Sequence, residues 1–125
     1  MRTLLSVVLL CLVSISGAEA VRRHRPYRPF KATAYATHGV TKSGDITKVG
    51  VVAADPRVLP LGTKIHVTGA GPYSGVYVVK DTGSKVKGRH IDLYMPRLAA
   101  AKEFGAKVVM VTVLEWGAPR TSTSG

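Results

Sequence analysis

The chain has one cysteine, Cys11, and it lies in an apolar leader rather than in the body of the sequence. A body without thiols has no disulfide, no cysteine nucleophile and no thiolate metal site. Its fold must rest on its core alone, which about 100 residues can supply. Acidic residues are nearly as scarce. Glu19, Asp45, Asp55, Asp81, Asp92, Glu103 and Glu115 stand against 18 lysines and arginines, for a net charge of +11. Eight scattered aromatic residues leave no clustered platform on which bases could stack, so nucleic acid is not an expected partner. The apolar run Leu4–Ile15 is short of the roughly 20 residues of a membrane-spanning helix. No phosphate-binding loop, dinucleotide fingerprint or serine-nucleophile elbow occurs. His38, His66 and His90 lack metal-ligand spacing, and neither a metal nor a cofactor is expected.

What the chain does have begins with a secretory leader over residues 1–20. Arg2 supplies a positive start, Leu4–Ile15 an apolar stretch broken only by Ser6 and Ser14, and Ala18-Glu19-Ala20 a small-residue cleavage site. Leu10 stands before Cys11 where a lipid-modified cysteine needs a small residue, which argues against a lipoprotein. Cleavage would remove Cys11 and leave the charge at +11. The expectation is a secreted monomer, in the periplasm or outside the cell, with no stable membrane insertion. Residues 21–30 form a basic arm holding Arg22, Arg23, Arg25 and Arg28, with Lys31 just beyond, and Pro26 and Pro29 oppose helix and sheet there. Such an arm is either a solvated leader to the fold or an attachment point for anionic cell-envelope polymers.

Residues 31–117 read as one small β domain and 118–125 as a Ser/Thr/Gly tail. Alternation predicts strands over Phe30–Ala36, Gly50–Ala54, Thr63–Val67, Val76–Lys80, His90–Tyr94 and Lys107–Leu114. Polar and Gly/Pro stretches separate them, including a loop over His38–Lys48. One helix is predicted over Arg97–Phe104, with Pro96 in its first turn and Gly105 as its stop. Six short strands with such turns and one late helix indicate an all-β compact barrel.

Three aspartates lie where a carboxylate needs a reason, because Asp is disfavoured in strands and costly to bury alone. In His90–Tyr94, Ile91 and Leu93 share one face, and His90, Asp92 and Tyr94 the other. Asp92 is then either a loop-pinning acceptor or a general acid. Asp81 ends a strand at Asp-Thr-Gly, a turn in which Asp bonds backbone amides. If the two strand ends adjoin, Asp81 and Asp92 would raise one another's proton affinity. Asp55 precedes Pro56, which favours an extended backbone and a turn or capping role. Thr33, Tyr35, Thr82 and Tyr94 carry hydroxyls that could bind sugar.

The runs Gly50–Thr63, Val79-Lys80-Asp81-Thr82-Gly83, Lys87-Gly88 and Ile91-Asp92-Leu93-Tyr94, with Thr33-Ala34-Tyr35 before them and Phe104-Gly105 after, resemble the 3D (three-aspartate) domain family. The resemblance covers roughly residues 31–116. It implies a six-stranded double-psi β-barrel, as in the catalytic barrel of membrane-bound lytic murein transglycosylases and, more distantly, expansins and rare lipoprotein A. It implies Asp92 as a single catalytic acid/base, Asp81 as a supporting carboxylate and Asp55 as the third family aspartate. Thr33, Tyr35, Thr82, Gly83, Lys87 and Tyr94 would contact the substrate. The implied partner is peptidoglycan, cleaved between N-acetylmuramic acid and N-acetylglucosamine with formation of a 1,6-anhydro ring. The second domain and wall-binding repeats of longer relatives are not recognisable, so a non-catalytic, expansin-like wall binder is the other expectation.

Overall fold

The computed structural model describes residues 25–36 and 49–118. The secretory leader, Arg22 and Arg23 of the arm, the whole of the expected His38–Lys48 loop and the tail from residue 119 lie outside the described residues. Six strands form: β1 (Arg28–Tyr35), β2 (Val51–Ala54), β3 (Lys64–Thr68), β4 (Gly75–Asp81), β5 (His90–Tyr94) and β6 (Lys107–Glu115). One α-helix, α1 (Leu98–Phe104), separates β5 from β6, and a single 3-10 turn at Gly71–Tyr73 precedes β4.

The strands close into a barrel in the order β1-β5-β2-β4-β3-β6. Pairs β1/β5 and β2/β4 are parallel and the other four are antiparallel. This is the closed six-stranded double-psi barrel expected, with mixed pairing, and each strand has a neighbour on both sides over part of its length. Apart from the β3/β4 pair, strands consecutive in sequence are separated in space: β5 lies between β1 and β2, and β2 lies between β4 and β5.

The core follows from the period of two. Phe30 and Ala32, Val52 and Ala54, Ile65 and Val67, Tyr77 and Val79, Ile91 and Leu93, and Val109 and Val111 all point inward and are buried. Outside the barrel wall, α1 buries Ala101 and Phe104, and Phe104 meets Tyr73 edge to face at 5.7 Å. Gly105, at φ +64°, ends the helix as expected.

Two local expectations need correction. Pro29 does not keep the arm out of the sheet: Arg28 and Pro29 begin β1, opposite Val111 and Met110 of β6. There β1 has no β5 neighbour, because that pairing starts at Lys31, and a strand position without a second partner tolerates a missing N–H. Pro96 is not in the first helical turn, since α1 starts at Leu98 after an extended Arg97. Met95 is still tied to the barrel, its N–H donating to the Tyr35 carbonyl at 2.8 Å. The residue before a proline is also held extended.

Candidate functional site

The outer face of β5 carries His90, Asp92 and Tyr94, because Ile91 and Leu93 take the inward positions. On the parallel ladder Thr33 lies opposite Asp92 and Tyr35 opposite Tyr94. This register brings hydroxyls to the carboxylate. Thr33 Oγ1 donates to Asp92 Oδ1 at 2.9 Å and lies 2.7 Å from His90 Nε2. With the one hydroxyl proton on Asp92, Thr33 accepts from an Nε2–H of His90. The Tyr35 and Tyr94 rings lie 5.6 Å apart, tilted by 59°.

Asp81 reaches the same face through an irregularity. Val52 pairs with Val79, but Ala53 pairs with Asp81, so Lys80 is an extra residue on β4. Unbroken alternation would send Asp81 inward behind Val79. The bulge turns it to the outer face instead, a recurring device beside functional sites. Ala53 is also the partner of Asp92 on β5. Asp81 and Asp92 therefore flank Ala53, two strand spacings or about 10 Å apart at Cα. The expectation of adjacent strand ends is corrected here, because β2 separates β4 from β5.

Asp92 holds its proton more tightly than a free aspartic acid. Burial is the main cause, and the negative charge of Asp81 adds to it, while the Thr33 bond and the positive character of His90 oppose it. Tyr35 is held neutral by burial first and by the charges of Asp81 and Asp92 next. Its buried hydroxyl has no hydrogen-bond partner among the described residues. A buried hydroxyl without a partner is uncommon and calls for an explanation.

Asp55 is arranged differently. Its carboxylate accepts from Arg57 N and Nε at 3.0 Å each, from the Arg57 terminal nitrogen at 2.8 Å and from Gly88 N at 2.9 Å. Its own carbonyl accepts from Val58 N and Leu59 N. These bonds, that of the Arg57 side chain first, hold Asp55 well below the usual carboxylate range. Asp55 thus clasps the loop after β2 to the 82–89 loop. Gly88, at φ +69°, presents its N–H to that carboxylate.

In the same loop Thr82 N donates to Asp81 Oδ1 at 2.9 Å, and Gly83 fits where a side chain would collide with Val86. Lys87 is exposed on it, and Thr82 and Gly83 are partly buried. The structure therefore brings Thr33, Tyr35, Asp81, Asp92 and Tyr94 onto one face, with Thr82 and Gly83 following Asp81 directly. Asp55 and Lys87 are attached through the loop. His90 and Ala53 join the site without having been singled out for it. His90 was legible from its parity with Asp92, whereas Ala53 carried no signal. Among the described residues no three His, Cys, Asp or Glu side chains converge on a metal position, and no helix is long and apolar enough to cross a membrane.

Comparison with known proteins gives three kinds of match. The model of the 3D domain matches residues 50–115. Among characterised sequences, the chain is 40% identical over 92 residues to the cell wall-binding protein YocH of Bacillus subtilis, covering 66% of this chain and 31% of that protein. It is 44% identical over 64 residues to the putative cell wall shaping protein YabE of the same organism, covering 51% of this chain and 15% of that protein. The chain thus spans a third or less of the length of these relatives. Among solved structures, MltA of Escherichia coli, described as a lytic transglycosylase fold, superposes with a TM-score of 0.52 at 21% identity. That match covers 66% of this chain and 29% of the MltA chain.

Proposed function

The chain belongs to the 3D domain family, and on that premise we propose that it cleaves the N-acetylmuramic acid–N-acetylglucosamine bond of peptidoglycan as a lytic transglycosylase, with Asp92 as the single general acid/base. A peptidoglycan-related role and a place in the cell wall or envelope are supported by the cell wall-binding and cell wall-shaping relatives and by the MltA-like fold. The observation that carries the catalytic reading is the state of Asp92. It is a half-buried carboxyl with raised proton affinity, oriented by Thr33, on one face with Asp81 and an unpartnered Tyr35 hydroxyl.

In this mechanism protonated Asp92 gives its proton to the glycosidic oxygen as the bond to the muramoyl C1 breaks. The Asp92 carboxylate then takes the proton of the muramoyl C6 hydroxyl, whose oxygen bonds to C1 and closes the 1,6-anhydro ring. Asp92 ends neutral or hands its proton back to solvent, and no water is consumed. One carboxyl acting twice suffices, whereas ordinary glycoside hydrolysis uses a pair. Asp81, about 10 Å away across Ala53, supports the proton affinity of Asp92 as a minor contributor, and we assign it chiefly to holding the sugar. Tyr35 donates to a sugar oxygen, and Thr82, Gly83, Lys87 and Tyr94 line the approach. Asp55 serves as the loop clasp and not as a proton carrier, since its carboxylate is already engaged on both oxygens.

A second reading, wall binding without cleavage, is favoured by the name of the YocH relative, a cell wall-binding protein. Mass spectrometry of soluble products from purified peptidoglycan separates the two. Anhydro-muropeptides from the wild type and none from Asp92→Asn support the transglycosylase. Reducing-end sugars would replace it with a hydrolase. Retention on the wall with no products would leave only the binder.

A further inference from the structure

A groove of about 690 Å³ opens at the end of the barrel where β1 and β5 begin and β6 ends. Its floor includes the buried Phe30 and Leu59, and Trp116 stands exposed on its wall. Three guanidinium groups line it, from Arg25, Arg28 and Arg89, against one acid, Glu115. Arg25 is fixed in place. On β6, Leu114 is an extra residue opposite β3, and the Arg25 guanidinium donates to the carbonyls of Leu114 and Val113. Arg28 and Arg89 have no side-chain hydrogen bond or ion pair among the described residues. Positive charge over an apolar floor calls for a ligand that is anionic and has apolar parts.

We propose that this groove binds the carboxylate-bearing peptide stem that hangs from the muramoyl sugar, with Arg28 and Arg89 pairing its carboxylates and Trp116 covering its apolar side chains. The inference rests on the peptidoglycan reading for the identity of the ligand, and it adds a second site distinct from the Asp92 face. Spacing supports it. Arg89 lies in the bend just before β5, three residues and about 10 Å from Asp92, and Arg28 precedes Thr33, the Asp92 partner, by about 16 Å of strand. An extended stem of three to five residues reaches about 10–18 Å. Arg28 and Arg89 share the parity of the inward Phe30 and Ile91, so the stem of a sugar held at Asp92 would turn over the barrel end to meet them, within that reach. Planar guanidinium forks suit carboxylates, and the apolar floor suits short aliphatic side chains better than it suits a bare polyphosphate chain.

Trp116 is the only tryptophan, so its fluorescence reports on the groove directly. The probe is a synthetic stem tetrapeptide with two free carboxylates, titrated into the full mature protein. The expected result is a saturable change in emission that weakens with added salt. Affinity should fall about tenfold for Arg28→Gln or Arg89→Gln, the size of one lost charge-assisted pair. The same peptide amidated at both carboxylates should bind at least as weakly, a comparison that needs no variant to fold. No saturable change at millimolar peptide, or equal binding of the amidated peptide, would overturn the proposal. So would binding of a glycerol phosphate oligomer in its place. Stem binding without wall cleavage would sustain the groove and remove the transglycosylase, whereas cleavage without stem binding would do the reverse.

Discussion

Replacing Thr33 by valine removes one hydroxyl and little volume, and its consequence can be worked from two distances. Thr33 Oγ1 is 2.9 Å from Asp92 Oδ1 and 2.7 Å from His90 Nε2. The bond to Asp92 favours the carboxylate and so opposes the upward pull of burial. A hydrogen bond to a charged group contributes about 1.5–3 kcal/mol. Solvent at this half-buried site and the bond still available to the neutral acid leave only part of that difference. The titration midpoint of Asp92 in Thr33→Val should therefore rise. Side-chain carboxyl NMR, assigned by the signal missing in Asp92→Asn, measures this without any assumption about activity. Thr33→Ser should restore the wild-type midpoint. If the protein cleaves peptidoglycan, the alkaline limb of its pH–rate profile should move with the midpoint. A midpoint that stays put or falls in Thr33→Val would refute the claim that this hydroxyl controls the acid.

Three further outcomes follow from the same geometry. Asp92 and Asp55 should shift stability in opposite directions: Asp92 is raised in the fold, so its charge costs stability above the unfolded value near 4, and Asp92→Asn should melt higher at pH 7 with the gain vanishing below about pH 4. Asp55 is lowered, so it adds stability above that value and loses it as pH falls further, and Asp55→Asn should melt lower at pH 7 but like the wild type in strong acid, as thermal scans against pH will check. Gly117→Ala should cost about 1–3 kcal/mol in urea unfolding, because a methyl would run into the Leu61 carbonyl and lie 2.6 Å from Thr63 N, backbone atoms that cannot step aside. Tyr35→Phe should leave stability unchanged or higher, since the hydroxyl it removes has no partner among the described residues, yet reduce retention on purified wall in a pull-down assay.

The two bulges show where local reading of the chain stops. The Lys80 bulge puts Asp81 on the Asp92 face, and the Leu114 bulge frees carbonyls that Arg25 then caps. Neither has a local signature, because a bulge is a mismatch between two strands distant in sequence. Pro29 makes the same point. Its missing N–H matters only where both sides of a strand are paired, and the closure of the barrel left one side of β1 open there. The groove was equally hidden, since Arg25, Arg28, Arg89 and Trp116 come from three separate stretches of chain.

By itself the sequence determined the six strands, the late helix ended by Gly105, the inward residues and the motifs that carry family membership. Each of these is local: period-two alternation sets which face a side chain takes, and turn chemistry sets where a strand stops. Tertiary structure alone decided which strands are neighbours, and so that Asp81 and Asp92 face one another across Ala53 rather than touch. It also decided that Asp55 is consumed by Arg57 and Gly88 while Asp92 is left half-buried with a raised proton affinity. Three aspartates of identical chemistry acquire different surroundings because partner choice and desolvation are properties of the closed barrel, not of the residues beside them in the chain.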